Sequence, residues 1–202
     1  MTRIVLASGN KGKLREFSAM FSEHFANDNV ELIPQTELNV SDADETGLSF
    51  VENAIIKARH ACQVTGLPAL ADDSGIEIDA LDGAPGIYSA RYSGEGDQAN
   101  NAKVLENMKG IPEAQRTARF QCVLVYMRHA EDPTPQVFQG AWEGIILTEP
   151  SGTEGFGYDP IFQPNGYAST FGEMSLNEKN KISHRSIAIN KMVQYLKENN
   201  LL

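Results

Sequence analysis

Arg3 to Ala7 reads as a short strand, and a few residues later the apolar spacing becomes three and four, at Leu14, Phe17, Phe21 and Phe25. A strand that feeds through Ser8-Gly9-Asn10 into an amphipathic helix buries both apolar faces by laying helix on sheet. The expected class is therefore α/β. The alternation continues with a strand over Val30 to Ile33, an acidic loop over Ser41 to Gly47, and a second helix. Ser49 and Glu52 stand at capping-box spacing at its start, and Phe50, Ala54, Ala58 and Ala61 form its core face. The apolar run Leu67 to Leu70 then delivers Ala71-Asp72-Asp73-Ser74-Gly75, where the Ser-Gly pair is expected to turn the chain away.

Beyond Ile76 turn residues gather at Gly83-Ala84-Pro85-Gly86 and Ser93-Gly94-Glu95-Gly96. A helix is expected around Ala99 to Met108, then two longer strands over Phe120 to Met127 and Val137 to Leu147. The loop Ala130 to Pro135 joins those strands, and Gly140 and Gly144 are candidate bulges in the second. The last helix is expected from Ser183 to Lys197. Early alternation followed by a hairpin points to a mixed sheet.

The chain has 202 residues, 41% of them hydrophobic, enough for a substantial core in a single domain over residues 1–202, in two lobes. Its net charge of −10 argues against a nucleic-acid or anionic-membrane binder, because both need a basic field. An anionic small substrate would need a few local Lys or Arg together with a metal. Cys62 and Cys122 read as core thiols, since two lone cysteines cannot build a zinc cluster. Met1 to Ala7 is too short and too quickly polar for a signal peptide, and no apolar run approaches membrane-spanning length. The expected location is the cytoplasm.

Four motifs carry possible chemistry, and each has a plainer reading. Asp72 and Asp73 repel one another, so they call for a cation or a proton, unless one of them simply caps a turn. Neighbours on a strand point to opposite faces, so only one of the two is expected to reach a metal directly. Glu45 with Asp73 would suit Mg²⁺, which takes one or two protein carboxylates. Asp42 and Asp44 read as solvated; Lys57, two turns into the helix, could point at the same cleft, but the plainer reading is a surface lysine lying along the helix. Ser8 to Lys13 combines two glycines, a helix N-terminus and the donors Ser8, Asn10 and Lys13, the parts of a phosphate cradle. It matches neither a Walker loop nor GxGxxG, and a simple strand-to-helix turn fits the same residues. Gly155 to Phe162 reads as a rigid loop presenting a flat ring to a base, or as a packed corner. Lys179 precedes Ser183-His184-Arg185, with Ser183 as the N-cap of the last helix. Cations at a helix start oppose the macrodipole, which favours an acceptor-rich ligand over a solvated basic turn.

In their order along the chain, SGNKGK, the Glu45-Thr46-Gly47 helix start, ADDSG, Gly83-Ala84-Pro85-Gly86, FGYDPIF and SHR resemble the inosine/xanthosine triphosphate pyrophosphatase family, from Ile4 to Lys191. Ser8 stands where many members have Thr, and Asp82-Gly83 replaces the commoner Gly-Gly. The resemblance implies a long mixed central sheet flanked by helices, with two lobes and an active-site cleft between them. It implies Mg²⁺-dependent hydrolysis of ITP, dITP or XTP to the monophosphate and pyrophosphate, usually by a homodimer, to remove deaminated purines from the nucleotide pool. Carried onto this chain, it implies that Ser8, Gly9, Asn10, Lys11, Gly12 and Lys13 bind the triphosphate and that Glu45 and Asp73 hold Mg²⁺. By the same resemblance Asp73 is the proton acceptor and Ser74 touches substrate, while Phe156, Gly157, Tyr158, Asp159, Lys179, His184 and Arg185 form the nucleoside pocket. Asp44 is the alternative to Glu45 if the register of the acidic loop slips by one. A non-catalytic nucleotide sensor would have no need of Glu45 with Asp73. A relative acting on pyrimidine nucleotides should lack the FGYDPIF and SHR pair.

Overall fold

The computed structural model describes residues 2–25 and 29–199. Along the chain run β1 (Thr2–Leu6), α1 (Lys11–Phe25), β2 (Val30–Pro34), α2 (Phe50–Thr65), β3 (Ala69–Ile78), α3 (Asp97–Asn107), β4 (Thr117–Met127), β5 (Gln136–Ile146), β6 (Phe162–Pro164), α4 (Leu176–Ile182) and α5 (His184–Glu198). The strands form one sheet in the order β2-β1-β3-β4-β5-β6. β1 is parallel to β2 and β3, whereas β5 and β6 are antiparallel, so the sheet is mixed and the class is α/β. Among the described residues no helix is long and apolar enough to cross a membrane. The chain divides into two compact units, one of Met1–Asp73, Cys122–Gln139 and Ser186–Leu202, the other of Ser74–Gln121 and Gly140–Arg185.

In the first unit the period of two sorts the strand residues onto two faces. Ile4, Leu6, Leu70, Leu124 and Tyr126 pack with Phe17, Met20 and Phe21 of α1 and with Ile189, Met192 and Leu196 of α5. Val5, Ala7, Ala69, Ala71 and Val125 pack instead with Ala54, Ala58 and Ala61 of α2. Small side chains on both partners let the α2 backbone come close to the sheet. The large residues on the other face supply most of the apolar burial, at about 1.5–3 kcal/mol for each fully buried side chain.

The second unit has its own core, in which Ile76 and Ile78 of β3 meet Val104 of α3, Met108 at its C-cap, Phe120 of β4, and Phe162 and Phe171. The opposite side of its strands is polar, with Gln121 donating to Glu77 at 2.8 Å and Arg119 bridging Asp79 and Glu143 at 2.9 Å each.

Three local expectations change. Ser74-Gly75 does not turn the chain, because β3 continues through it for a total of 10 residues. The turn preference of that pair loses to the burial of Ile76 and Ile78, both fully enclosed. The turn comes later, where Asp82 (φ 51) and Gly83 (φ 84) take left-handed conformations. The helix α4 is absent from the sequence-based elements. Its 7 residues are too few to display a stripe, and its local signal is the Ser175/Glu178 capping box. Gly144 lies within a continuous β5, and its role is close approach, since a Cβ there would stand 2.5 Å from the Phe162 ring.

Candidate active site

Asp72 and Asp73 sit in the body of β3, and its pleat separates them. Asp72 shares the face of Leu70, where Lys13 in the first turn of α1 pairs with it at 3.0 Å. Asp73 shares the face of Ala69 and Ala71, where Lys57 of α2 donates to its Oδ1 at 2.8 Å. Both carboxylates are buried, at 1% and 5% exposure. A buried charge is costly unless paired, and each one draws its own lysine from a different helix. The pleat therefore sets the two carboxylates on opposite faces of the sheet.

Lys57 also pairs with Glu45 at 3.0 Å, so the carboxylates of Glu45 and Asp73 meet on one cation. The acidic loop is brought there by local bonds. The Gly47 N–H donates to Asn53 Oδ1 at 2.9 Å, and Asn53 Nδ2 donates in turn to Asp73 Oδ2 at 3.4 Å. A Cβ on Gly47 would fall 2.6 Å from Glu52 Cβ and 2.7 Å from Asn53 Oδ1, so only glycine lets the loop close onto α2. Ser49 caps α2 through the Glu52 N–H, and Glu52 accepts from the Leu48 N–H at 3.0 Å and the Ser49 hydroxyl at 2.7 Å. Asp42 and Asp44 stay exposed, and Asp42 accepts from Gln35 Nε2.

Burial pushes the Asp73 carboxyl above its ordinary value; Lys57 and Lys13 oppose that push and Glu45 reinforces it. Burial also works against the Lys57 ammonium, but Asp73, Asp72 and Glu45 together outweigh it and hold Lys57 above its usual value. The three carboxylates thus all lie within electrostatic reach of Lys57. The donors are hard oxygens, which suits Mg²⁺. Among the described residues no group of three or more His, Cys, Asp or Glu forms a metal cage.

In the Ser8 to Lys13 loop the side chains of Ser8 and Asn10 bond the local backbone. Asn10 Oδ1 accepts the N–H groups of Gly12 at 2.9 Å and Lys13 at 3.1 Å, which makes Asn10 the cap of α1. Its own N–H donates to Ser8 Oγ at 3.3 Å. Gly9, Asn10 and Lys11 are exposed, whereas Ser8 and Gly12 are buried.

The remaining site candidates lie in the second unit, and most of them are enclosed. Lys179 and Asp159 pair at 2.6 Å, with both side chains almost fully buried. Asp159 Oδ2 also accepts the Phe156 N–H at 2.9 Å. Lys179 Nζ lies 4.7 Å from the centre of the Phe156 ring, and the Arg185 guanidinium 5.9 Å from it. Arg185 donates to Ser74 Oγ at 3.1 Å, and His184 stacks on Phe120 at 4.7 Å with a 9° tilt. Tyr158 is buried and donates to the Ser89 carbonyl at 2.7 Å; burial holds its hydroxyl well above the ordinary value. Phe156 and Gly157 are the half-buried members of the set.

The sequence model of the Ham1 family matches residues 4–195. The chain belongs to the Ham1 family. It is 55% identical over 199 residues to a dITP/XTP pyrophosphatase of Shigella flexneri, an alignment covering 98% of this chain and 99% of the relative. Its fold superimposes on a HAM1 protein from Coxiella burnetii with a TM-score of 0.90 at 48% identity, covering 98% of this chain and 100% of that one. The Ham1 protein of Staphylococcus aureus gives a TM-score of 0.84 at 38% identity, with the same coverage.

Within this Ham1-family fold, the sequence alone favours a surface position for Lys57 and gives Asn53 and Gly47 no individual role. A signal for Lys57 was present. It stands three residues after Ala54 and four before Ala61, on the apolar stripe itself, where a lysine requires a buried counter-charge. Asn53 lies one turn earlier on that face.

Proposed function

We propose that this chain hydrolyses ITP, dITP and XTP to the nucleoside monophosphate and pyrophosphate with Mg²⁺, acting in the cytoplasm as a homodimer. The observation that carries the reading is the convergence of Glu45 and Asp73 on Lys57, in a chain so close to proteins named dITP/XTP pyrophosphatases. Triphosphate handling falls to residues of the first unit and nucleoside handling to residues of the second, the whole chain working as one functional domain.

Asp73 is the proton acceptor. Its carboxyl, raised by burial, is a stronger base than a surface aspartate and so suited to taking a proton from water. Glu45 and Asp73 would hold Mg²⁺, which when bound lowers the pKa of a water ligand and offsets phosphate charge. Lys57 aligns the two carboxylates, and Asn53 fixes the second oxygen of Asp73. Lys13 brings positive charge to the start of α1, where the helix end favours phosphate. The Phe156 ring presents a face for the purine, in the positive surroundings of Lys179 and Arg185. Donors from His184, Arg185 or backbone N–H would complement a 6-oxo base, whereas the 6-amino group of adenine would leave them unpaired.

The test is pyrophosphate release with Mg²⁺ from ITP, XTP, GTP, ATP and dTTP. Rapid turnover of ITP and XTP and little of the others is expected; equal rates on ATP would refute the specificity. Sedimentation at micromolar concentration checks the dimer, which a monomer mass would exclude.

A further inference from the structure

The geometry points to Asp97 and Asn101 of α3 as positioning residues for the base-binding loop, an inference that rests on the nucleotide-hydrolysis reading. The Gly157 N–H donates to Asp97 Oδ2 at 2.8 Å, and the Gly157 carbonyl accepts from Asn101 Nδ2 at 3.0 Å. Asp97 and Asn101 are four residues apart, so one helix face grips both polar groups of a single peptide residue. Gly157 sits at φ 62, a conformation open to glycine at little cost and equally easy for it to leave. Elsewhere in the loop the Phe156 N–H donates to Asp159, the Asp159 N–H donates to the Phe156 carbonyl at 3.3 Å, and the Tyr158 hydroxyl donates to the Ser89 carbonyl. Without α3, the Gly157 peptide could rotate and carry the half-buried Phe156 ring with it.

The grip is itself held in place. Asn100 Oδ1 accepts from the Ser93 N–H at 2.6 Å and the Ser93 hydroxyl at 2.7 Å, pinning the approach to α3. Asn100 Nδ2 donates to the Ser89 carbonyl, the same acceptor that Tyr158 uses. Neither Asp97 nor Asn101 is assigned to substrate, and the proton acceptor Asp73 belongs to the other unit. Pre-ordering the loop lowers the entropy lost when the nucleotide binds, so losing the grip weakens binding and spares the chemical step.

Steady-state pyrophosphate release from ITP with Mg²⁺ tests this. Asp97→Ala is expected to raise KM about fivefold to tenfold, the loss of one hydrogen bond, with kcat within about twofold of wild type. Asp97→Asn keeps a carbonyl acceptor and should behave as wild type. Asn101→Asp, of the same shape but with an acceptor facing the Gly157 carbonyl, should raise KM at least as much as Asp97→Ala. Unchanged KM in both Asp97→Ala and Asn101→Asp would overturn the inference. So would a fall in kcat at constant KM, or an Asp97→Asn enzyme as impaired as Asp97→Ala. Amide hydrogen exchange provides a readout independent of substrate, with exchange at residues 156–158 about tenfold faster in Asp97→Ala if the bond holds the loop. If wild type releases no pyrophosphate from ITP, the functional reading fails by itself, and unchanged exchange would still refute the grip.

Discussion

Lys57–Asp73 in the first unit and Lys179–Asp159 in the second are both short buried pairs, at 2.8 and 2.6 Å. The side chains of the first remain 13% and 7% exposed, those of the second 3% and 2%. Lys57 is shared between Asp73 and Glu45, at 2.8 and 3.0 Å. Asp159 has Lys179 and also the Phe156 N–H, while Lys179 faces the Phe156 and Phe171 rings. A sealed and satisfied pair holds a loop in position. A shared pair that keeps some access to water has capacity left for a cation and a reacting group. The contrast teaches that the number of claimants on a lysine separates a positioning pair from a chemical one better than distance does.

The largest effect that could break this comparison is at Asp73. Asp73→Asn should lower ITP turnover by about 10³-fold or more while nucleotide binding, measured by calorimetry, persists. If Asp72→Asn were the inactive enzyme and Asp73→Asn retained activity, the roles of the two faces of β3 would be exchanged. Chelation should abolish turnover and Mg²⁺ restore it, with urea unfolding almost unmoved, because the lysines already stabilise the apo carboxylates; global unfolding on chelation would contradict that. Next comes Lys179→Ala, which strands a buried carboxylate and should destabilise the chain by about 3–5 kcal/mol in urea unfolding. Lys57→Ala should be milder, since Glu45 and Asp73 retain water. The reverse order would remove the distinction between sealed and shared pairs.

The smallest effect concerns Cys62, on the α2 face that packs against Ala69 and Ala71 of β3. Burial pushes its thiol up to about 11, and a backbone hydrogen bond at Ala69 and the Arg59 charge offset only part of that shift. The folded state therefore favours the neutral thiol. Its contribution to stability is complete below the unfolded value of 9.0 and is lost as pH rises through about 11. Alkylation by iodoacetamide at pH 8.5 should be at least about tenfold slower than for free cysteine, and mass spectrometry of the labelled peptide checks it.

Much of the frame was legible locally. The stripe of α1, the Ser49 cap of α2 and the opposite facing of Asp72 and Asp73 all follow from spacings of three, four and two. The course of β3 through Ser74-Gly75 was not, because its outcome depended on the core that receives Ile76 and Ile78. Nor was the enclosure of Asp159, Tyr158 and His184, which look like surface polar residues when read along the chain.

The element order, the class, a glycine-bearing strand-to-helix loop, an acidic pair and an aromatic loop follow from the residues read along the chain, since caps and periodicities act within a few residues. What only the tertiary structure decided is which charge answers which. Lys57 finds Asp73 across 16 residues, Lys179 finds Asp159 across 20, and Arg185 finds Ser74 across 111. Those choices follow from desolvation, which forces each buried charge onto whatever partner the packed sheet brings within reach.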